Sequence, residues 1–171
     1  MSKVDVKVVL LGKHSVGKTC LVERFLHGKF KENTLTTVGA AFGAKKMIIH
    51  GKEITLGIWD TAGQERYESM SRIYYRSARA ALVCFDLSDP KTFEKVRFWV
   101  DELLQNEEYC EIYIVGTKLD MLSPTAEGGT ICRFTPEEVR EYATKIGAKT
   151  FETSAKTGVG IDELFQTIAE N

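Results

Sequence analysis

Gly12-Lys13-His14-Ser15-Val16-Gly17-Lys18-Thr19 fits the pattern G-x-x-x-x-G-K-[ST] at all four fixed positions. Residues of these types at this spacing can hold a chain of phosphates. The glycines let successive backbone N–H groups turn into one concavity. Lys18 brings a cation to the outer phosphates, and the Thr19 hydroxyl can ligate a hard ion such as Mg²⁺. The pattern specifies a nucleoside triphosphate, but neither its base nor its purpose. Asp60-Thr61-Ala62-Gly63 fits D-x-x-G, stands 41 residues after Thr19 and is followed by Gln64. A carboxylate at a strand end can hold a water on Mg²⁺, and a glycine N–H can reach a terminal phosphate. Thr117-Lys118-Leu119-Asp120 bears on the base. One carboxylate accepts both N1–H and N2–H₂ of guanine, a pair that adenine lacks, and such sites discriminate by roughly 10⁴–10⁵. The stem of Lys118 can lie along the ring.

These groups work together only if the chain brings them to one place. Val4 to Leu11 is an apolar, β-branched run before the first motif, and Cys20 to His27 has helical spacing after it, ending near Gly28. Lys29 to Thr37 reads as a loop. Val38 to His50 and Glu53 to Asp60 flank Gly51-Lys52 as a hairpin, hence an antiparallel pair. Glu68 to Ser77 reads as helical with a weak apolar stripe. Beyond it strands and helices alternate. Ala80 to Asp86 is an apolar strand, and Asp89-Pro90 opens a helix striped by Phe93, Val96, Val100 and Leu103. Ile112 to Gly116 is a strand, and Met121 to Phe134 a long loop. Thr135, Pro136 and Glu138 form a helix start with a capping box, and that helix ends at Gly147. Lys149 to Thr153 is a short strand, and Ile161, Leu164, Phe165 and Ile168 stripe a last helix. Such alternation predicts a mostly parallel sheet covered on both faces, with ligand at the carboxyl ends of the strands. The motifs, with Ser154 to Lys156, all follow predicted strands, so they share one edge.

With 171 residues the chain is long enough for one domain with a sizeable core, and its 43% hydrophobic and 27% charged content is ordinary for a globular protein. A net charge of −1 implies no general affinity for nucleic acid or acidic membranes. The longest apolar run, Ala80 to Phe85, is too short to span a bilayer, and Met1 to Asp5 leads straight into a strand rather than a signal peptide. Cys20, Cys84, Cys110 and Cys132 form no C-x-x-C pair and read as reduced thiols of a cytosolic protein, without metal or catalysis.

The chain resembles a small Ras-type GTPase and, within that superfamily, a Rab. The resemblance runs from Val4 to Glu170. It rests on GKHSVGKT, Thr37 before Val38-Gly39, WDTAGQERY, TKLD and ETSAK, in order and at the family's spacing. Val38 to Phe42, Ile58-Trp59-Asp60, Gln64 to Tyr67 and Tyr74-Tyr75-Arg76 are Rab-like. The resemblance implies an α/β P-loop NTPase G domain spanning 1–171 as one unit. Its sheet would be six-stranded and mostly parallel, with one antiparallel edge strand and helices on both faces. It implies GTP or GDP as ligand with Mg²⁺. His14, Ser15, Val16, Gly17, Lys18, Thr19 and Cys20 would cradle the phosphates. Phe30 would meet the guanine edge-on, and Thr117, Lys118, Asp120, Ser154, Ala155 and Lys156 would surround it. Thr19, Thr37 and Asp60 would hold the metal. Gln64 would orient the attacking water, with Lys18, Thr37 and Gly63 as the other catalytic groups. A monomeric switch follows, its two loops ordered by the γ-phosphate and relaxed by slow hydrolysis. No arginine in the phosphate loop supplies a second cation, so an activating protein would. Phe42, Trp59 and Tyr74 would face effectors; as aromatics they serve equally well in a core. The remaining implied partners are an exchange factor and escort or dissociation-inhibitor proteins, with vesicle traffic on the cytosolic face of intracellular membranes as the duty.

Several positions depart from the pattern. His14 stands where small residues are common, and a bulky side chain there can crowd Gln64 or an incoming arginine. Thr117 replaces the usual asparagine and has one hydroxyl where the amide offers two functions. With Gly39-Ala40-Ala41-Phe42, it points to a divergent Rab branch associated with autophagic and endosomal membranes. Ser77 replaces a glycine and Ala41 an acid, and the 121–134 loop is long for the family. Ser69 falls where some Rabs are phosphorylated. Rabs carry a prenylated C-terminal tail; this sequence stops at Asn171 without a terminal cysteine, so either a tail beyond it is missing, which is the expectation, or the protein is not lipid-anchored. His14 and Thr117 also leave open a scaffold that holds nucleotide with little turnover. A metabolic P-loop kinase would need an arginine-rich lid, and no such segment is found.

Overall fold

β-branched and leucine side chains stiffen Val6–Gly12 into the strand β1, whose Val8, Val9, Leu10 and Leu11 are completely buried. The computed structural model describes residues 4–13, 16–28, 40–61, 75–107, 109–119 and 136–170. After β1 come α1 (Lys18–His27), β2 (Ala40–Ile49), β3 (Lys52–Thr61) and β4 (Ala80–Asp86). A 3-10 turn (Pro90–Thr92) leads into α2 (Phe93–Asn106), followed by β5 (Glu111–Thr117), α3 (Pro136–Ile146), β6 (Lys149–Glu152) and α4 (Ile161–Glu170).

The strands form one six-stranded sheet in the order β2-β3-β1-β4-β5-β6. β2 and β3 pair antiparallel through a hairpin that turns at His50, where φ is +50°. The pairs β3·β1, β1·β4, β4·β5 and β5·β6 are parallel. The sheet is therefore mostly parallel with one antiparallel edge strand, as the sequence predicts.

Period-two alternation sends successive residues to opposite faces. Val8, Leu10, Leu82 and Cys84 join Leu21 and Phe25 of α1 and Leu164 and Phe165 of α4 in one core. Val9, Leu11, Ala81 and Val83 join Val96, Trp99 and Val100 of α2 and Val139 and Ala143 of α3 in the other. Phe25 and Phe165 stack with centroids 3.8 Å apart and seal α1 against α4.

α1, β3 and β5 extend one or two residues beyond the sequence reading, and three further boundaries differ for visible reasons. β1 starts at Val6 rather than Val4, which is exposed. The segment after Asp89-Pro90 begins as a 3-10 turn because Thr92 N–H bonds to Asp89 O at 3.1 Å, and the α-helix follows from Phe93. β6 ends at Glu152, and the Thr153 N–H turns to Gly116 O at 2.7 Å. The expected helix over 68–77 lies outside the described residues up to 74, as do the 121–134 loop and the Thr135 cap.

Candidate nucleotide site

The chain runs from β1 to β3 on one side and then crosses to β4 on the other, so β1 lies at a topological switch point. Its carboxyl end leads to Lys13, and α1 begins five residues later at Lys18. The helix starts at Gly17, whose φ of +101° few other residues adopt, and Gly17 O accepts the Leu21 N–H at 3.0 Å. Among the described residues no side chain caps this end, and no acid stands in the first turn. The other described α-helices open on acids: Glu94 in α2, Glu137 and Glu138 in α3, Asp162 and Glu163 in α4. α1 thus carries no acid of its own at its positive end, the arrangement that receives an anion.

Lys18 is buried, 5% exposed, at this spot. Its ammonium donates to Gly12 O and Lys13 O, both at 2.9 Å. Burial holds its pKa below the ordinary lysine value, while nearby Cys84 and Asp60 pull it the other way. A cation kept in place by carbonyl dipoles gains from a phosphate more than a solvated one would. One residue on, Thr19 Oγ1 donates to Asp60 Oδ2 at 2.5 Å. Asp60 lies level with Leu10 of β1, so β3 brings its carboxylate beside the phosphate loop. A hydroxyl and a carboxylate in contact are hard oxygen donors suited to Mg²⁺, which draws its remaining ligands from water and phosphate. Among the described residues no three His, Cys, Asp or Glu side chains cluster to hold a metal by themselves.

The base side is built from the ends of β5 and β6. Thr117 is buried, and its hydroxyl lies within reach of two carbonyls, Val16 O of the phosphate loop and Phe85 O at 2.9 Å. Lys118 has φ +60°, unusual for a residue with a side chain, and its ammonium pairs with Asp86 at 3.0 Å. Leu119 N–H donates to Thr153 O at 2.9 Å. Ser154 is buried, its N–H bonded to Val159 O at 3.0 Å and its hydroxyl accepting from Thr157 N–H at 3.1 Å. Ala155 packs against the α1/α4 core, and Lys156 is exposed.

The described candidates Val16, Gly17, Lys18, Thr19, Cys20, Asp60, Thr117, Lys118, Ser154, Ala155 and Lys156 all stand at or just beyond the carboxyl ends of β1, β3, β5 and β6. His14, Ser15, Phe30, Thr37, Gly63, Gln64 and Asp120 lie outside the described residues, and so do Ser69 and Tyr74. Trp59 is half-buried against the α2/α3 core, with Lys7 Nζ 5.6 Å from its ring, and Phe42 is its register partner on β2. Sequence reasoning missed Asp86. A lone acid ending an apolar strand carries little signal until β4 and β5 are set in register, Asp86 opposite Thr117.

The Ras family profile matches residues 7–171. Ras-related protein Rab-24 of Dictyostelium discoideum is 51% identical over 170 residues, 99% of this chain and 82% of that protein. Human Ras-related protein Rab-21 is 44% identical over 161 residues, 93% of this chain and 68% of its own length. GTP-binding protein YPT52 of Saccharomyces cerevisiae is 41% identical over 187 aligned residues, 96% of this chain and 80% of that one. A parallel sheet with a phosphate loop at its switch point, matched over nearly its whole length, places the chain in the Ras family. Within that family it is a Rab small GTPase, an enzyme that hydrolyses GTP to GDP.

Proposed function

We propose that the chain is a guanine-nucleotide switch in vesicle traffic, with 1–171 acting as one G domain. The observation that carries this is the start of α1. A helix end without a cap or an acid surrounds a buried lysine cation, next to a hydroxyl–carboxylate pair. In this reading Gly17, Lys18 and the adjoining N–H groups hold the phosphates. Thr19 and Asp60, with Thr37, hold Mg²⁺, whose charge offsets that developing on the phosphoryl oxygens. Lys118, Asp120 and the 154–156 loop take the guanine, with Phe30 at its edge. Gln64 orients water, and Gly63 and Thr37 sense the γ-phosphate, so that hydrolysis releases both loops. Intrinsic turnover is slow because catalysis is positioning and charge stabilisation, and the second cation comes from an activating partner. Among the described residues no helix is long and apolar enough to cross a membrane. Attachment to the cytosolic face is assigned to a prenylated tail. Endosomal and autophagic membranes are the compartments, a reading supported by Thr117 and the 39–42 stretch.

The test is to denature the purified protein and chromatograph the nucleotide that leaves it, then follow one turnover of GTP at saturating Mg²⁺. Guanine nucleotide and a slow conversion to GDP are expected. Adenine nucleotide, or no purine with Mg²⁺ supplied, would overturn the assignment.

A further inference from the structure

We propose that Asp86 is a positioning residue for the guanine base: its carboxylate anchors the Lys118 ammonium, so that the lysine stem is held out as a flat apolar bar for the ring. The proposal rests on the guanine-switch reading above.

Asp86 closes β4 and is buried. Each of its carboxylate oxygens has work. Oδ1 accepts from Ser88 N–H at 2.8 Å and from the Ser88 hydroxyl at 2.6 Å. Oδ2 faces the Lys118 ammonium at 3.0 Å. The two Ser88 bonds fix the direction of the carboxylate, so the ammonium meets a set target rather than a swinging one.

Lys118 is held at its backbone and at its tip. Its backbone sits at φ +60° between two clamps, Leu87 N–H on Thr117 O at 3.0 Å and Leu119 N–H on Thr153 O at 2.9 Å. Its Cε lies 3.7 Å from where a Cβ on Gly17 would stand, so the far end of the stem runs beside the phosphate loop. Its ammonium ends on Asp86. A lysine stem in water samples many rotamers, and ordering it against a ligand is costly. Here both ends of the stem are in place before a ligand arrives. The side chain is nevertheless 38% exposed, and that open flank of the stem is what a planar ring can cover. The asymmetry is telling, because the Asp86 side chain at the far end of the pair is only 9% exposed. Anchor and platform are thus separate parts of one device.

Asp86→Asn separates charge from shape. The amide oxygen still serves Ser88, but the ammonium loses its counter-charge. Release of a fluorescent GDP from the Mg²⁺-bound protein is expected to become about tenfold faster. Release of IDP is expected to rise by the same factor, because the stem meets the ring face and not the N2 edge. Asp86→Glu keeps the charge and is expected to restore most of the retention. In a Lys118→Ala background Asp86→Asn is expected to add nothing. Ser88→Ala, at a half-exposed position, is a milder second probe that leaves the ion pair's charge intact, expected to speed release about threefold. Unchanged release in Asp86→Asn, or an equal acceleration without Lys118, would overturn the proposal. If Asp86→Asn does not fold, unchanged release in Ser88→Ala overturns it instead. A wild-type protein that binds no guanine nucleotide sinks the switch reading itself, which is a different outcome.

Discussion

Thr117 shows how much one substitution can both keep and give up. The hydroxyl has a single proton and two carbonyls within reach, Val16 O and Phe85 O. It therefore ties the end of β5 to the phosphate loop and has no second donor to spend on a base. An asparagine has one amide with two N–H donors and a carbonyl oxygen, enough for both tasks. Thr117→Asn is expected to hold GDP more tightly by on the order of 1 kcal/mol, close to fivefold in Kd. Equal affinity in a titration would show that Thr117 gives up nothing. At this scale the sequence was legible where chemistry is local. Gly12 to Thr19 is a pattern of residue types at fixed spacing, and it can be read without knowing the fold. The partners of Thr117 and the engagement of Asp86 could not be read, because they arise from strands distant in sequence.

The elements of the site are held by close backbone approach as well as by side chains. Between β6 and α4 the chain folds on itself through Gly158 N–H to Ser154 O at 2.7 Å and Ser154 N–H to Val159 O at 3.0 Å. Gly160 closes this loop at φ +77°, where an added Cβ would stand 2.3 Å from Glu152 O. That contact is backbone on backbone and cannot be relieved by a rotamer. Gly147, after α3, has a similar φ of +75° but open space around it. Gly160→Ala is expected to cost about 2–4 kcal/mol in denaturant unfolding against about 1 kcal/mol for Gly147→Ala. Equal costs would show that the loop yields freely. Most elements were legible because their burial follows a period of two or of 3.6, as in the stripe of Val96, Val100 and Leu103 on α2. Their ends were less so. The limits of β1 and β6 depend on which neighbouring strand still offers a hydrogen-bond partner, and the start of α2 on a tight turn at Pro90.

The whole molecule carries ionisable groups that folding has moved in opposite directions. Burial pushes the thiols of Cys84 and Cys110 up to about 12, from an ordinary 9.0. Below pH 9 both are protonated, folded or unfolded, and make no difference. Between about 9 and 12 the unfolded chain loses these protons and the folded chain keeps them. The unfolded state then binds fewer protons, so stability falls as pH rises through this window. Lys18 and Lys7, lowered by burial, work the other way below the ordinary lysine value of 10.5. Comparison with Cys84→Ala isolates the thiol. The variant is expected to lose stability less steeply between pH 9.5 and 11 in urea unfolding. A parallel loss in both proteins would assign the alkaline fall to other groups.

The sheet divides the interior into two compartments that, among the described residues, share no buried side chain. Val8 and Val9 are neighbours in the chain, yet one answers to α1 and α4 and the other to α2 and α3. A volume change on one side must be compensated on that side. Among related sequences, correlated replacement of core residues should therefore fall into two sets that alternate along each strand, Val8 and Leu10 with Tyr113 and Val115, Val9 and Leu11 with Ile112 and Ile114, and drift in either set proceeds without consulting the other.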